Sequence, residues 1–476
     1  MTDFSDMSYE ASGVSIRDQN KVNSEVSKRL KKHGMDAKGL FGGAVDLSDY
    51  KDKKFARLDI GCAPISSTYD HAKEKGKAAF QLASSNLKGK LIGTLDYIAS
   101  QEMGEFIPDF VEGIALESMT RGCVVLGGES AQMKDTYNQG MFDSFVHVLG
   151  INQHGAIDVA KAIEGMSTPL LVASTDGTGT KPKVFRHPRD STPEDIIAHG
   201  FNDISAQGVK PAGFSLYIAG NVPKETLKKI DKKATEIAKR CGVAMLPSTL
   251  VQTEKAYQEG SIDIAGTVVG FVDKKYLVTG SDVKPGNVLV GVSVDGLMTN
   301  GYTLGRDFSD ELVKKGEVKS WDDPMDALNG KSLRYELSRP HRPMNDILFG
   351  YEGVEGVVSK FDVKGMAHIT GGGQPDNIVR MVPKGCKAVV SKDVLPVPPF
   401  MALCRQYGIK DEELYQTFNM GVGYTLTVPK EQAGELVDYI NKHFRNRIQD
   451  VSREAAQIGV IKKTTGDSQF EFGGRK

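Results

Sequence analysis

The chain has 476 residues with 60 Lys and Arg against 61 Asp and Glu, a formal net charge of −1, and 39% hydrophobic residues. This near-neutral balance leaves no electrostatic footprint for nucleic acid or an anionic membrane, so neither is expected as a partner. No apolar run approaches the ~18 residues that a membrane span needs, and the polar, acidic first ten residues are unlike a signal peptide. The five cysteines are scattered and form no Cys-x-x-Cys pair, so we expect a reduced, cytoplasmic protein without structural zinc or disulfides.

Taken in chain order, the sequence predicts an arm and then two similar α/β regions. Residues 1–54 are a polar, Lys-rich arm that contains the glycine pair Gly42 and Gly43. Residues 55–165 read as strand, helix, strand, loop and strand, with the apolar run at 123–126 as a buried strand. Residues 166–277 repeat that order, and residues 278–476 form the remaining domain, in which residues 430–444 carry a helical apolar stripe.

The two similar regions look like a duplication. A shift of 120 residues aligns them without a gap, so that Tyr97 falls on Tyr217. The same shift places Tyr137 on Tyr257, Asp143 on Asp263 and Gln132 on Gln252. One interpretation is a duplicated fold unit with one dead site. We prefer a single composite site that takes an acidic loop at 127–129 from the first copy and a phosphate motif from the second.

That phosphate motif is Asp-Gly-Thr-Gly-Thr-Lys at residues 176–181, directly after the apolar run at 170–173. Glycines let backbone N–H groups approach an anion, the lysine neutralises phosphate charge, and the aspartate can hold Mg²⁺. The order of residues differs from that of a Walker loop. A tight strand-to-loop turn with an exposed lysine explains the hexapeptide alone equally well.

The rest of the chain decides in favour of phosphate chemistry. It contains Ser8-Tyr9-Glu10, Gly127-Gly128-Glu129, Phe201-Asn202-Asp203, Asn300-Gly301-Tyr302, His368-Ile369-Thr370-Gly371-Gly372-Gly373 and Phe418-Asn419-Met420-Gly421. With the phosphate motif, these segments resemble the aminoimidazole ribonucleotide synthetase (phosphoribosylformylglycinamidine cyclo-ligase) family, from about Ser8 to Ile461. The resemblance implies ATP-dependent closure of the imidazole ring of formylglycinamidine ribonucleotide in de novo purine biosynthesis, with Mg²⁺ as cofactor.

The resemblance also implies the fold and the assembly. We expect an α/β fold of the α+β type, with the N-terminal domain present about twice and packed as a pseudo-dimeric sheet or barrel. One C-terminal α/β sandwich domain follows. An ordinary member of the family has one N-terminal domain and dimerises through its sheet. A homodimer is therefore expected here, with an intramolecular pseudo-dimer as the alternative.

The site residues are carried over from the matching motifs. The expected catalytic residues are His368, Lys181 and Asp176. ATP and its phosphates are assigned to Asp176, Gly177, Gly179, Thr180, Lys181, Asn202 and Asp203. Metal ligation is assigned to Asp176, Glu129 and Asn202. The substrate is assigned to Gly42, Gly43, Asn300, Gly371, Gly372, Gly373, Asn377, Arg342 and Asn419.

Some of these assignments have simpler alternatives. Asp203 could be an acidic residue at a helix N-terminus, and Arg342 could form an exposed salt bridge. Asn300 and Asn419 lie in sequences typical of turns. Each alternative needs only local structure and no ligand.

Two positions depart from the family pattern. Met298 stands where the family usually has a histidine, and Gln132 replaces the second carboxylate of Gly-Gly-Glu-x-x-Glu. A thioether transfers no proton, so another group must serve or the chemistry must differ. These departures keep two alternatives open: another ATP-using member of the same superfamily, and a nucleotide-binding paralogue without catalytic activity.

Overall fold

The structure is a computed structural model that describes residues 4–12, 14–35, 43–85, 87–185, 192–444 and 452–473. The chain forms two compact units. The N-terminal unit consists of Val14–Ile204 and Val209–Leu277, and the C-terminal unit of Met1–Gly13, Ser205–Gly208 and Val278–Lys476. In the described segments, no helix combines the length and the apolar character needed to cross a bilayer.

The N-terminal unit contains two successive α/β regions. Its helices are α1 (Ile16–Lys32), α2 (Ala72–Ser85), α3 (Phe106–Thr120), α4 (Val159–Ala162), α5 (Thr192–Ser205) and α6 (Lys224–Arg240). Its strands are β1 (Gly43–Asp46), β2 (Arg57–Thr68), β3 (Lys90–Ser100), β4 (Val124–Gln132), β5 (Met141–Asn152), β6 (Ile157–Asp158), β7 (Pro169–Gly177), β8 (Lys210–Gly220), β9 (Ala244–Met245), β10 (Thr249–Gln252) and β11 (Ile262–Asp273). The segment predicted as a polar arm thus contains a helix, α1, whose N-cap Ser15 accepts a hydrogen bond from the backbone N–H of Asp18.

The two regions of the N-terminal unit pack sheet against sheet. The first sheet has the order β4-β3-β5-β2-β6, and the second has the order β1-β7-β11-β8-β10 with β9 beside β8. One face of each sheet buries apolar residues of its own helices, such as Phe110 in the first copy and Phe201 in the second. The other faces share a core in which Tyr97 and Phe145 meet Tyr217. The result is a layered helix–sheet–sheet–helix arrangement.

The hydrogen-bond register repeats in both sheets and confirms the duplication. In the first sheet, Tyr97 on β3 lies opposite Phe145 on β5 and Glu129 on β4. In the second, Tyr217 on β8 lies opposite Ala265 on β11 and Thr249 on β10. Each residue of the first set corresponds to one of the second at the same 120-residue separation. The backbone therefore assigns Glu129 and Thr249 to equivalent places.

A reciprocal tyrosine–aspartate network joins the two copies. Each of two buried aspartates accepts two tyrosine hydroxyls, and in both cases the tyrosines belong to the other copy. The bonds run from Tyr97 (3.0 Å) and Tyr137 (2.6 Å) to Asp263 Oδ2, and from Tyr217 (2.8 Å) and Tyr257 (2.5 Å) to Asp143 Oδ2. The hydroxyls of Tyr137 and Tyr257 are 3.2 Å apart. Such reciprocity is the mark of a two-fold interface, so the two copies form a pseudo-dimer within one chain.

The described part of the C-terminal unit contains a six-stranded mixed sheet, two small two-stranded sheets and several helices. Its strands are β12 (Val288–Ser293), β13 (Pro324–Met325), β14 (Lys331–Ser332), β15 (Gly350–Tyr351), β16 (Val354–Glu355), β17 (Gly365–His368), β18 (Cys386–Ser391), β19 (Val422–Val428), β20 (Ala455–Lys463) and β21 (Gln469–Gly473). Its helices are α7 (Tyr302–Lys314), α8 (Leu333–Leu337), α9 (Asn345–Phe349), α10 (Val357–Lys360), α11 (Gly373–Ile378), α12 (Pro399–Gln406), α13 (Asp411–Thr417) and α14 (Lys430–His443). The main sheet has the order β17-β19-β12-β20-β18-β21. Helix α14 confirms the helix predicted at 430–444, and its apolar stripe is buried.

Candidate active site

The predicted phosphate motif lies at the end of strand β7 and in the turn after it. Asp176 is the penultimate residue of the strand, and its side chain is 26% exposed. A Cβ on Gly177 would lie 2.7 Å from the hydroxyl oxygen of Tyr97, so only glycine fits against this tyrosine of the first copy. Gly179 has φ +55°, which an L side chain rarely adopts. The motif therefore turns sharply where a residue of the other copy packs against it.

The lysine of the motif is not exposed. The Nζ atom of Lys181 lies 2.6 Å from Oδ1 of Asp195 on α5, and both side chains are fully buried. The turn-with-exposed-lysine alternative is therefore wrong for this residue. Its assignment to ATP phosphate stays a prediction, because in this structure the ammonium group contacts a protein carboxylate.

A histidine that the motif search missed lies between two of the predicted carboxylates. Nε2 of His199 on α5 is 3.0 Å from Oδ2 of Asp176 and 3.7 Å from Oδ2 of Asp203. Burial opposes the charged form of His199, but the charges of Asp176 and Asp203 outweigh it and, with Glu129 adding to them, raise its pKa to about 9. The sequence contained one signal that could have found His199. It precedes Asp203 by four residues, so the two residues share one face of a helix.

The second copy supplies most of this cluster, and the first copy adds charge to it. Glu129 acts electrostatically on His199 and on Tyr97. It lies within strand β4, so the prediction of an acidic loop was wrong. Asn202 and Asp203 lie in the last turn of α5, so the helix N-terminus alternative for Asp203 was also wrong.

The carboxylates of the cluster suit a divalent cation. The carboxylates of Asp176 and Asp203 lie within 4 Å of the imidazole, the charge of Glu129 acts on it as well, and Mg²⁺ prefers such oxygen ligands. Asn202, beside Asp203, is fully buried. The residues present therefore fit a magnesium ion.

A second missed residue borders the Gly-Gly-Glu motif. Asp96 on β3 is buried, and burial raises the pKa of its carboxyl group to about 7. A Cβ on Gly128 would lie 2.5 Å from Oδ1 of Asp96, which explains why this position is a glycine. Gln132 is the last residue of strand β4. Its side chain accepts a hydrogen bond from the backbone N–H of Ser15 (3.1 Å) and donates one to the backbone carbonyl of Gln101 (3.2 Å).

The equivalent places in the other copy lack these groups. At the 120-residue separation, α2 carries Ala79 and Ala83 where α5 carries His199 and Asp203. Strand β10 carries Thr249 where β4 carries Glu129. One set of acidic groups therefore exists within the described part of the N-terminal unit.

In the C-terminal unit, the structure brings together several of the predicted substrate residues. His368 ends strand β17, and Gly371 follows it, with its Cβ position 3.4 Å from Oδ1 of Asn300. Gly372 and Gly373 have φ +85° and +61° and lead into α11. The side chain of Asn377 donates to the carbonyls of Thr370, Gly371 and Gly373 at 3.2, 3.1 and 2.8 Å. Asn377 thus holds the glycine turn in place.

Two further predicted residues contact protein groups. Arg342 Nη1 lies 2.9 Å from Oε2 of the buried Glu454 and donates to the carbonyl of Ser293 at 2.7 Å. The ion pair of Arg342 is therefore buried and not exposed. Asn419 Nδ2 donates to the backbone carbonyl of Gly296 at 2.9 Å, and the backbone carbonyl of Asn419 accepts from Nε2 of Gln374 at 3.2 Å.

The glycine pair of the arm is only partly described. Gly42 lies outside the described residues. Gly43 begins β1, which pairs with β7 at Ala173, and the backbone of Leu126 leaves no room for a side chain at Gly43.

The sequence matches known proteins along most of its length. A model of the AIR synthase related protein, N-terminal domain, matches residues 159–272, and the model of its C-terminal domain matches residues 284–468. The N-terminal model thus falls on the second copy.

Curated relatives of the chain, among them the following three, carry the name phosphoribosylformylglycinamidine cyclo-ligase. The relative from Syntrophotalea carbinolica is 34% identical over 305 residues, which is 63% of this chain and 82% of that protein. The relative from Geobacillus kaustophilus is 34% identical over 68% of this chain and 89% of its own length. The relative from Desulfotalea psychrophila is 31% identical over 73% and 92%. The chain therefore belongs to the phosphoribosylformylglycinamidine cyclo-ligase family of ligases, the AIR synthase related proteins.

Proposed function

We propose that the chain uses ATP to close the imidazole ring of formylglycinamidine ribonucleotide, giving aminoimidazole ribonucleotide, ADP and phosphate. The observation that carries this proposal is the cluster of Asp176, His199 and Asp203, with the charge of Glu129 acting on it, in a chain that belongs to this family. Phosphoryl transfer depends on positioning and charge neutralisation more than on covalent chemistry by the protein. The N-terminal unit offers both.

The proposed reaction has two steps, phosphoryl transfer and ring closure. The formyl oxygen of the substrate takes the terminal phosphoryl group of ATP, and ADP leaves. An amidine nitrogen then attacks the activated carbon, so a C–N bond forms, the C–O bond breaks and inorganic phosphate leaves. One proton departs from the attacking nitrogen and a second from the former formamide nitrogen as the ring becomes aromatic; the departing phosphate takes up one of the two and the other is released. The protein must therefore hold phosphate charge in one step and accept a proton in the other.

The N-terminal unit handles the phosphates in this proposal. Asp176, Glu129 and Asn202 hold Mg²⁺, which neutralises phosphate charge when it is bound. Gly177, Gly179 and Thr180 present the turn after β7 to the phosphates. Lys181 contributes its positive charge from the buried pair with Asp195. His199 orients two carboxylates by contacting both Asp176 and Asp203.

The C-terminal unit handles the substrate. The turn at 371–373, which is left-handed at Gly372 and Gly373 and is held by Asn377, lies against the substrate phosphate in this proposal. Asn300 lies beside this turn, and His368 precedes it and takes the proton of the closing nitrogen. Arg342 and Asn419 shape the same region through their contacts with Glu454 and Gly296.

The test is turnover by the purified full-length chain. ADP release with Mg-ATP is measured with and without formylglycinamidine ribonucleotide, together with formation of aminoimidazole ribonucleotide. We expect substrate-dependent ADP that matches the product one for one. ATP binding without substrate-dependent turnover contradicts the proposal and favours a paralogue without catalytic activity.

A further inference from the structure

A second histidine lies against His368 in the C-terminal unit. Nε2 of His341 is 3.2 Å from Nε2 of His368, and the rings meet edge to face with centroids 5.2 Å apart. Both side chains are buried, with 2% and 0% exposure. The other ring nitrogen of His341, Nδ1, is 3.3 Å from Oγ1 of Thr299. A chain of hydrogen bonds therefore runs from Thr299 through His341 to His368.

His341 is fixed in place by the arginines on either side of it. Arg339 forms a two-pronged contact with Glu336 (2.9 and 3.0 Å) and a bond to Asp295 (2.9 Å). Arg342 is paired with Glu454, as described above. Because both arginines are anchored, the imidazole between them has little freedom to leave His368.

An Nε2–Nε2 hydrogen bond contains one proton, whichever imidazole donates it. When Thr299 donates to Nδ1 of His341, the proton of His341 sits on Nε2, and Nε2 of His368 accepts it. When Nδ1 of His341 donates to Thr299, Nε2 of His341 accepts, and the donor is His368. Two adjacent imidazolium ions would be costly at such burial, so the pair can take up one extra proton and share it. The tautomer of His368 thus depends on His341.

We propose that His341 is the positioning residue of His368 in ring closure: it sets the tautomer of His368 and shares the proton that His368 removes from the closing nitrogen. The proton passes from the closing nitrogen to Nδ1 of His368, the Nε2–H of His368 is shared with Nε2 of His341 so that the positive charge spreads over both rings, and one proton later leaves to solvent. This inference rests on the function proposed above. The histidine pair also supplies the proton transfer that the thioether of Met298 cannot perform. The pair is connected to this part of the chain because Thr299, which contacts His341, directly follows Met298. Met298 is buried at φ +65°, and its Sδ packs 2.9 Å from the Cβ position of Gly423.

The first test needs no turnover. Selective ¹⁵N labelling of histidine in the full chain reports the tautomer and titration of His368 in the wild type, in His341→Gln and in His341→Phe. We expect the ¹⁵N chemical shifts of His368 to report a changed tautomer population in both variants, while the circular dichroism spectrum shows that the fold is unchanged. Unchanged His368 shifts overturn the proposal, as does a tightly bound metal ion that perturbs both histidines of the wild type.

The second test separates proton sharing from packing. We expect His341→Phe to lower kcat at least about 10²-fold, in the range of general acid–base contributions, with KM for ATP unchanged. Imidazoles of different pKa added to His341→Ala should restore turnover in order of their pKa. Restoration that follows size alone, or an unchanged kcat, contradicts the proposal. If the wild type does not turn over while the ¹⁵N coupling is present, the failure belongs to the proposed reaction and not to the histidine pair.

Discussion

The two copies in the N-terminal unit share their backbone and their interface but differ in chemistry. Helices α2 and α5 have the same length of 14 residues, and β3 and β8 both have 11. The tyrosines and aspartates between the copies occur in both. The groups around Asp176 do not, because the first copy has alanines where the second has His199 and Asp203.

This difference shows that the interface between the copies and the cluster around Asp176 place different requirements on the two copies. A two-fold interface needs matching residues from both sides, since each contact is made twice. A binding cluster needs only one set of ligands, which can be divided between the copies. Glu129 remains in the first copy and Asp176 in the second. The comparison therefore predicts that substitutions at the cluster lower activity strongly in one copy only. Equivalent substitutions at the interface should lower stability by similar amounts in both copies.

The largest one-sided effect is expected at Asp176. Asp176→Asn removes the carboxylate between His199 and the motif turn, and we expect substrate-dependent ADP release to fall at least about 10³-fold, as for loss of a principal charge contact in phosphoryl transfer. The control is Asp59→Asn, which makes the same change of charge on strand β2 of the first copy and should retain full activity. Equal losses in the two variants would falsify the assignment of the cluster to the second copy.

Lys181 separates a stability effect from a phosphate effect. Lys181→Ala leaves the buried Asp195 without the ammonium group 2.6 Å away, so we expect a loss of about 3–5 kcal/mol in the free energy of unfolding. Lys181→Met combined with Asp195→Asn removes both charges and should recover most of that stability. If activity returns with stability in this double variant, Lys181 has no part in phosphate binding. Urea denaturation beside the ADP assay gives both readings.

The interface aspartates predict a pH dependence. Burial raises the pKa of Asp263 to about 7 and that of Asp143 to about 6, although the tyrosine hydrogen bonds oppose the shift. Because these values lie above 3.8, the native state holds the protons more tightly than the unfolded chain does. Their stabilising contribution is complete below about pH 4 and is lost as pH rises through about 6 to 7.

Asp263→Asn lacks this titration. We expect the wild type to lose about 2–4 kcal/mol relative to the variant between pH 5 and pH 8. Chemical denaturation at a series of pH values measures the difference, and parallel curves for the two proteins would rule the account out. Asp143→Asn is the matched variant and should show a smaller difference with a midpoint at lower pH.

The smallest effects are expected at the paired tyrosines. Tyr137→Phe removes a hydrogen bond to Asp263, and Tyr257→Phe removes the equivalent bond to Asp143. At about pH 8, where both aspartates are ionised, we expect each to cost about 1.5–3 kcal/mol, the range for hydrogen bonds to charged groups. The pseudo-two-fold predicts nearly equal losses. A loss confined to one variant would show that the interface is not symmetric in energy.

The sequence revealed what depends on local pattern. The shift that places Tyr97 on Tyr217 was visible because matched residues keep a fixed spacing, and the apolar stripe of α14 was visible because a helix repeats it. The pairing of Lys181 with Asp195 and the contact of His341 with His368 were not visible. Each joins residues that are not neighbours in the sequence, and the spacing of residues in sequence does not encode which side chains meet. Glu129 was placed in a loop because glycines usually mark turns, whereas Gly128 is small to admit Asp96.

In the proposed function, one chain forms one nucleotide site from residues of both copies. Isothermal titration of the full-length chain with Mg²⁺ and a non-hydrolysable ATP analogue tests it directly, with Glu129→Gln and the matched control Thr249→Val. The account predicts one site per chain, weakened at least about tenfold by Glu129→Gln, as for loss of a group that supports a metal site, and unchanged by Thr249→Val. Two equivalent sites per chain, or one site indifferent to Glu129→Gln, would contradict it.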